Sequence, residues 1–144
     1  KMLVFRKAQS YDGARIAALE KAYIECPWSE AVVCQTIDDE LSTIYLLTDG
    51  DEILGYGGLK MVFDTAEVYN IVVDEKYRRH GYGTLVLEKL FEHAVEHGAR
   101  EMFLEVNENN VAAINLYTAH GFRISHMRKG YYKSGNALIL KREI

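Results

Sequence analysis

The chain has little of what disulfide-built, fibrous or membrane proteins are made of. Only one residue, Pro27, is proline, so no proline-rich linker divides the sequence. The two cysteines, Cys26 and Cys34, flank the segment Pro27-Trp28-Ser29-Glu30 and have no other thiol to join them. That count makes neither a disulfide framework nor a zinc site, and two free thiols in a reducing compartment are expected. No apolar run approaches the ~20 residues needed to cross a bilayer. Lys1–Ser10 lacks the sustained apolar stretch of a secretory signal. The expectation is a cytoplasmic protein without a membrane partner. Excess positive charge is missing too: 17 basic and 21 acidic residues leave a formal net charge of −4. This argues against direct nucleic acid binding through a broadly basic surface. Among the histidines, His93 and His97 fall one helical turn apart with no third ligand in view, so a solvated helix face and no metal are expected. No repeat or low-complexity tract is present. What remains is a chain of 144 residues, 49% apolar and 26% charged, which fits one globular domain over residues 1–144.

Hydrophobic periodicity orders that domain. Met2–Lys7 alternates as a strand. Ser10 or Asp12 can cap a helix that aligns Ile16, Leu19 and Tyr23 on one face and stops by Pro27. Ser29 can cap a shorter helix over Ala31–Ile37. Thr43–Thr48 reads as a strand, and Asp49-Gly50-Asp51 turns it into a second, Ile53–Val62. Gly55, Gly57 and Gly58 there predict a bulge or a close backbone approach. Ala66–Val73 completes an antiparallel meander. From Tyr82 to His97 the period becomes helical, with Val86, Leu90 and Ala94 in one row and Gly98 as terminator. Glu101–Val106 is a strand with Met102, Leu104 and Val106 on one face and Glu101, Phe103 and Glu105 on the other. Asn109 or Asn110 caps a helix over Val111–His120, closed by Gly121. Phe122–Met127 and Ala137–Lys141 are two final strands. The strand–helix–strand order across Tyr69–Val106 predicts a parallel pair with a right-handed crossover. The class is therefore α/β, a mixed sheet with helices on both faces.

The most informative stretch is Arg78-Arg79-His80-Gly81-Tyr82-Gly83-Thr84, between a strand and an amphipathic helix. Its glycines permit positive φ and close backbone approach. Amides at a helix start favour phosphate, and the two arginines add donors and charge. On the residues alone, a pyrophosphate site and an ordinary strand-to-helix turn stand level. Valine at position 86 breaks a dinucleotide fingerprint, and no Gly-Lys-Ser/Thr of a P-loop follows.

The same stretch resembles the signature of the GNAT superfamily of acetyltransferases, Arg/Gln-x-x-Gly-x-Gly/Ala, as Arg78-x-x-Gly81-x-Gly83. Tyr69-Asn70-Ile71-Val72-Val73-Asp74 is similar to the family's strand entering that loop. Leu104-Glu105-Val106, then Asn109-Asn110-x-Ala112-Ala113-Ile114-x-Leu116-Tyr117 and Gly121-Phe122, are similar to its second signature. The pieces stand in family order over Tyr69–Phe122. The resemblance implies a mostly antiparallel twisted sheet with a splayed parallel strand pair at its centre, and acetyl-CoA as acetyl donor. It places the donor on Ile71, Val72 and Val73, on Arg78, Arg79, His80, Gly81, Tyr82, Gly83 and Thr84, and on Asn110 and Tyr117. A narrower resemblance is to the RimI subgroup, the ribosomal-protein alanine N-acetyltransferases. It rests on Pro27-Trp28-Ser29-Glu30, on Leu104-Glu105-Val106 with Asn110, and on Arg128-x-Gly130-Tyr131-Tyr132. The chain departs from it in a short loop after Tyr132 and in Asn136-Ala137, where an acidic residue usually precedes the alanine.

Amide formation from a thioester requires a neutral amine. Roughly a tenth of an α-amine with a pKa near 8 is neutral at pH 7, and far less of a lysine amine near 10.4. A base is therefore useful. By its residues alone Glu105 reads as a solvated or salt-bridged strand glutamate; the resemblance makes it the base, and its place beside Phe103 predicts partial desolvation. A backbone N–H near Val73 can serve the oxyanion. The resemblance makes Tyr117 the acid for the leaving thiolate, against a packing role at a helix end. Trp28, Tyr131 and Tyr132 are either walls of the acceptor groove or packing residues. The implied partner is a protein N-terminus, in particular the alanine of a ribosomal protein, met by a monomer or weak dimer. An open peptide groove favours that acceptor; a closed anionic pocket favours a small amine, polyamine, antibiotic or lysine. A non-catalytic acetyl-CoA-binding module would bind without turnover.

Overall fold

The computed structural model describes residues 2–144. Seven strands form one sheet in the order β1-β2-β3-β4-β5-β7-β6. They are β1 (Leu3–Lys7), β2 (Ser42–Asp49), β3 (Glu52–Val62), β4 (Thr65–Val73), β5 (Glu101–Asn107), β6 (Arg123–Tyr132) and β7 (Gly135–Glu143). β1 to β4 pair antiparallel, as do β5, β7 and β6. Only β4 and β5 are parallel, and their register runs from Thr65–Glu101 to Glu67–Phe103 and then ends. The four helices are α1 (Gly13–Tyr23), α2 (Glu30–Asp38), α3 (Tyr82–Glu96) and α4 (Val111–Ala119). None of the helices among the described residues is long and apolar enough to cross a membrane.

Apolar clusters back both faces of the sheet. On one face α3 lays Leu87, Leu90 and Ala94 against Leu59, Ala66, Met102, Leu104 and Leu140. On the other, Ile16 of α1 and Val33 of α2 meet Ile44, Leu46, Tyr56 and Val72. Gly57 shows why the glycines sit in β3: a Cβ there would stand 2.5 Å from Val86 Cγ1. The ladder is irregular between Gly57 and Leu59, as the glycine cluster predicts. Helix starts follow the expected caps at Ser29, whose Oγ accepts the Val32 N–H at 3.2 Å, and at Asn110, whose Oδ1 accepts that of Ala113. Gly98 and Gly121 end α3 and α4 at positive φ.

Two expectations are overturned. Neither Ser10 nor Asp12 caps α1 through its side chain. The Asp12 carboxylate is 1% exposed and takes both Arg6 guanidinium nitrogens at 2.8 Å. Arg6 holds its pKa below the usual carboxylate range, against the opposing effect of burial. The second is His93, which lies in the core and not on a solvated face: it is 4% exposed, and its Nδ1 meets Tyr45 Oη at 2.8 Å. Tyr45 comes from a strand, so helical spacing alone gave no sign of it.

Burial, reinforced by His97, Lys7 and Lys89, pushes the His93 pKa down to about 4. An unfolded histidine near 6.5 takes up a proton that the native one refuses. Stability is therefore lost as pH falls from about 6.5 towards 4. Urea unfolding at pH 7.5 and pH 4.5 should show a smaller acid-side loss for His93→Gln than for the parent.

Candidate active site

The end of the β4–β5 ladder creates the site. Asp74 N–H bonds the Leu54 carbonyl at 3.0 Å, so the alternating pattern of an antiparallel pair turns the backbone groups of Val73 away from β3. They face the side that β5 has left. There the Val73 carbonyl accepts Arg78 Nε at 3.1 Å. The gap is filled by no strand and forms a cleft of about 600 Å³.

One wall of the cleft is β4 with Ile71, Val72 and Val73; another is the turn with Arg78, Arg79, Gly81, Tyr82, Gly83 and Thr84; the third is α4 with Asn110, Ala113, Leu116 and Tyr117. Arg79 and Gly81 both carry positive φ, 68° and 77°, which bends the chain tightly into α3. A Cβ on Gly81 would touch nothing within 4 Å, so the demand there is on backbone angle and on the space left for a ligand. The first bond into the helix runs from Leu85 N–H to the Gly81 carbonyl. The amides of Gly83 and Thr84 precede it and lie at the positive end of the helix dipole. Arg78 stacks 4.7 Å over the Tyr23 ring, which fixes its charge at the cleft. Arg78, Gly83 and the bare β4 edge suit a long ligand with an anionic diphosphate and amide groups. His80 is the one turn residue outside this lining; its ring lies beside Tyr82.

A second chamber, about 220 Å³, abuts the first and shares Tyr23, Ile24, Ile71, Asn110, Ala113 and Tyr117 with it. It adds Glu105, Tyr132, Asn70 and Glu25. Glu105 Oε2 accepts the Tyr132 hydroxyl at 3.0 Å, and Oε1 stands 3.6 Å from Arg128. The Tyr132 hydroxyl is raised well above its ordinary pKa, first by burial and then by the Glu105 charge, so it stays a donor. Burial pushes Tyr117 up to about 12, so it too keeps its proton. Tyr117 and Tyr23 are the two tyrosines that front both spaces.

A third, open groove of about 590 Å³ begins at Val68, Leu104 and Glu105, which it shares with the chamber, and passes Phe63, Glu67, Phe103, His126 and Arg128. Trp28 and Tyr131 line none of the three. Trp28 sets its ring edge-on to Tyr69, 4.9 Å away, and so reaches the chamber only through that residue. Tyr131 is exposed and meets Tyr132 edge-on. Sequence reasoning missed Tyr23, Asn70 and Glu25. Their only signal was position: Asn70 precedes the motif Ile71–Val73, and Glu25 precedes Cys26-Pro27-Trp28.

Comparison with known proteins agrees with this geometry. The pattern of the acetyltransferase (GNAT) family matches residues 11–122. The ribosomal protein bS18-alanine N-acetyltransferase of Escherichia coli strain K12 is 34% identical over 106 residues, which cover 74% of this chain and 71% of that protein. The crystal structure of the ribosomal-protein-S18-alanine N-acetyltransferase from Escherichia coli superposes with a TM-score of 0.91 at 28% identity, covering 99% of this chain and 94% of that one. A GNAT family acetyltransferase from Elizabethkingia anophelis, solved with acetyl-CoA bound, shares the fold at 21% identity, TM-score 0.78, over 99% and 98% of the two chains. The glycine turn at the start of α3, the parted strands and the sequence relationship lead to one conclusion: this chain belongs to the acetyltransferase (GNAT) family and is an acyltransferase.

Proposed function

We propose that this protein transfers acetyl from acetyl-CoA to the N-terminal α-amine of a cytoplasmic protein, the acceptor being the N-terminal alanine of a ribosomal protein. The observation that carries the reading is the meeting of two cavities at Tyr117, one fronted by the glycine turn and the other by Glu105. The donor's diphosphate would lie on Gly81, Gly83, Thr84 and Arg78, with its arm along Ile71–Val73 and Asn110. The Val73 N–H, turned from β3, is available for the thioester carbonyl and for the oxyanion that forms on attack. The amine enters the chamber, and Glu105 takes its proton, directly or through water. The amine nitrogen bonds the carbonyl carbon, the carbon–sulfur bond breaks, Tyr117 protonates the departing thiolate, and the second proton leaving the nitrogen restores the Tyr117 hydroxyl. Tyr132 and Arg128 hold the Glu105 carboxylate in place for this.

One further observation supports a polypeptide acceptor over a small amine. The open groove starts at Glu105 itself, so a chain can continue beyond the amine that the chamber holds. The relative from Escherichia coli, by its name, acts on such an acceptor.

An acetyl-transfer assay over peptides with different first residues, beside free lysine and spermidine, should show fastest turnover on alanine-initiated ribosomal sequences. Glu105→Gln should lower kcat by about a hundredfold with unchanged acetyl-CoA affinity; full activity at every pH would remove the base. Tyr117→Phe should lower kcat by about tenfold or more, and because Tyr117 titrates only near 12 the parent's rate should have no tyrosine-dependent fall below that pH. Gly81→Val forces a branched side chain into positive φ at a cost of about 1–3 kcal/mol, so calorimetric acetyl-CoA affinity should fall about tenfold.

A further inference from the structure

Glu20 is an acid that the transfer chemistry does not use. It is completely buried on the sheet-facing side of α1. No lysine, arginine or histidine bridges it among the described residues. Its oxygens instead receive Tyr56 Oη, the Trp28 backbone N–H at 3.1 Å, and Asn70 Nδ2 at 3.2 and 3.5 Å. Burying a carboxyl among apolar residues is costly unless its lone pairs are satisfied, and here three donors from separate elements converge to satisfy them. The third donor has a second end. An amide that turns its NH2 toward an acceptor turns its carbonyl away. Asn70 lines the chamber beside Glu105. Its Oδ1 takes no hydrogen bond from the described residues, and no side-chain polar atom among them is buried without a partner. That oxygen is therefore an acceptor open to the chamber.

We propose that Asn70 binds the acceptor amine through its side-chain carbonyl, and that buried Glu20 is the positioning residue that fixes the amide in this sense. The inference rests on the transfer reading above and adds to it. A primary amine that has lost its ammonium proton keeps two N–H groups and one lone pair. With one N–H on Asn70 Oδ1 and the other on Glu105, the lone pair is left for the thioester carbon. Of the other carboxyl groups at the chamber, Glu25 is already occupied by Lys133 and Ser134. Asn70 and Glu105 thus make a two-point rest that orients the nucleophile, which is the geometric part of rate enhancement.

The test is steady-state kinetics on an alanine-initiated peptide, with acetyl-CoA affinity by calorimetry and melting temperature measured alongside. Asn70→Leu keeps the side-chain volume and removes both amide functions; peptide KM should rise about tenfold while acetyl-CoA affinity holds. Glu20→Gln lets the two amides pair in either sense, so it should raise peptide KM in the same direction by a smaller factor. If Asn70→Leu lowers the melting temperature yet leaves peptide KM within about twofold of the parent, Asn70 is only a partner for Glu20 and the proposal is overturned. Should Asn70→Leu not fold, the double variant Glu20→Gln/Asn70→Leu removes the acid left short of a donor and is judged by the same KM. A parent that acetylates spermidine or free lysine but no peptide would overturn the N-terminal reading alone; the Asn70 assignment then stands or falls on the KM for that amine.

Discussion

The parting of β4 from β5 is the constraint on which the rest of the molecule turns. Two parallel strands pair for three residues and then separate, and a sheet seldom leaves backbone groups bare in its middle. The exposed edge of Ile71–Val73 is tolerable because it opens on a cleft and not on packed core. The strands part at their C-terminal ends, where both following helices start. α3 must start beside β4, where Gly81 and Gly83 allow the tight turn, and α4 starts where Asn110 caps it immediately after β5. The wedge between them carries the amides of a helix start, the arginine over Tyr23 and the buried tyrosine of α4 into one space.

The other side of the wedge is closed by contacts between segments far apart in the chain. The two-residue turn Lys133-Ser134 is bound to Glu25 on the α1–α2 connection, to Asn107 at the end of β5 and to Asn109 just beyond it. Asn136 N–H is held by Glu108, and Asn136 Oδ1 by Gly130 N–H. The short β6–β7 turn is thus tied down by side chains and needs no length of its own. Asn136, at the position where the sequence departs from the RimI pattern, is part of that tie.

Much of this was legible in the residues. Strand alternation placed β2 to β5 within a residue or two, and the glycines of Arg78–Thr84 marked the turn because few other residues adopt its backbone angles. The resemblance named Glu105 and Tyr117, which the structure sets at adjoining cavities. Asn70, Glu25 and Glu20 were not legible, because each owes its place to partners 36 to 109 positions away: Tyr56 and Asn70 for Glu20, Ser134 for Glu25. Local periodicity carries no information about such pairs. It also misplaced His93, which stands on the buried face of α3 with Val86 and Leu90 but was assigned to solvent by its polar type, while its true partner Tyr45 sits on β2.

By itself the sequence determined the order of elements, the caps of α2 and α4, and most of the faces that the helices and strands bury. These follow from spacing along the chain, where a side chain's direction is set by its own backbone period; the reaction class came from the resemblance to a family and not from spacing. Only the tertiary structure decided which acids are buried, which are free, and which oxygen looks into the acceptor chamber. Those are properties of contacts across α1, β4 and the β6–β7 turn, and a hydrogen bond's partner is fixed by folding and not by its neighbours in the chain.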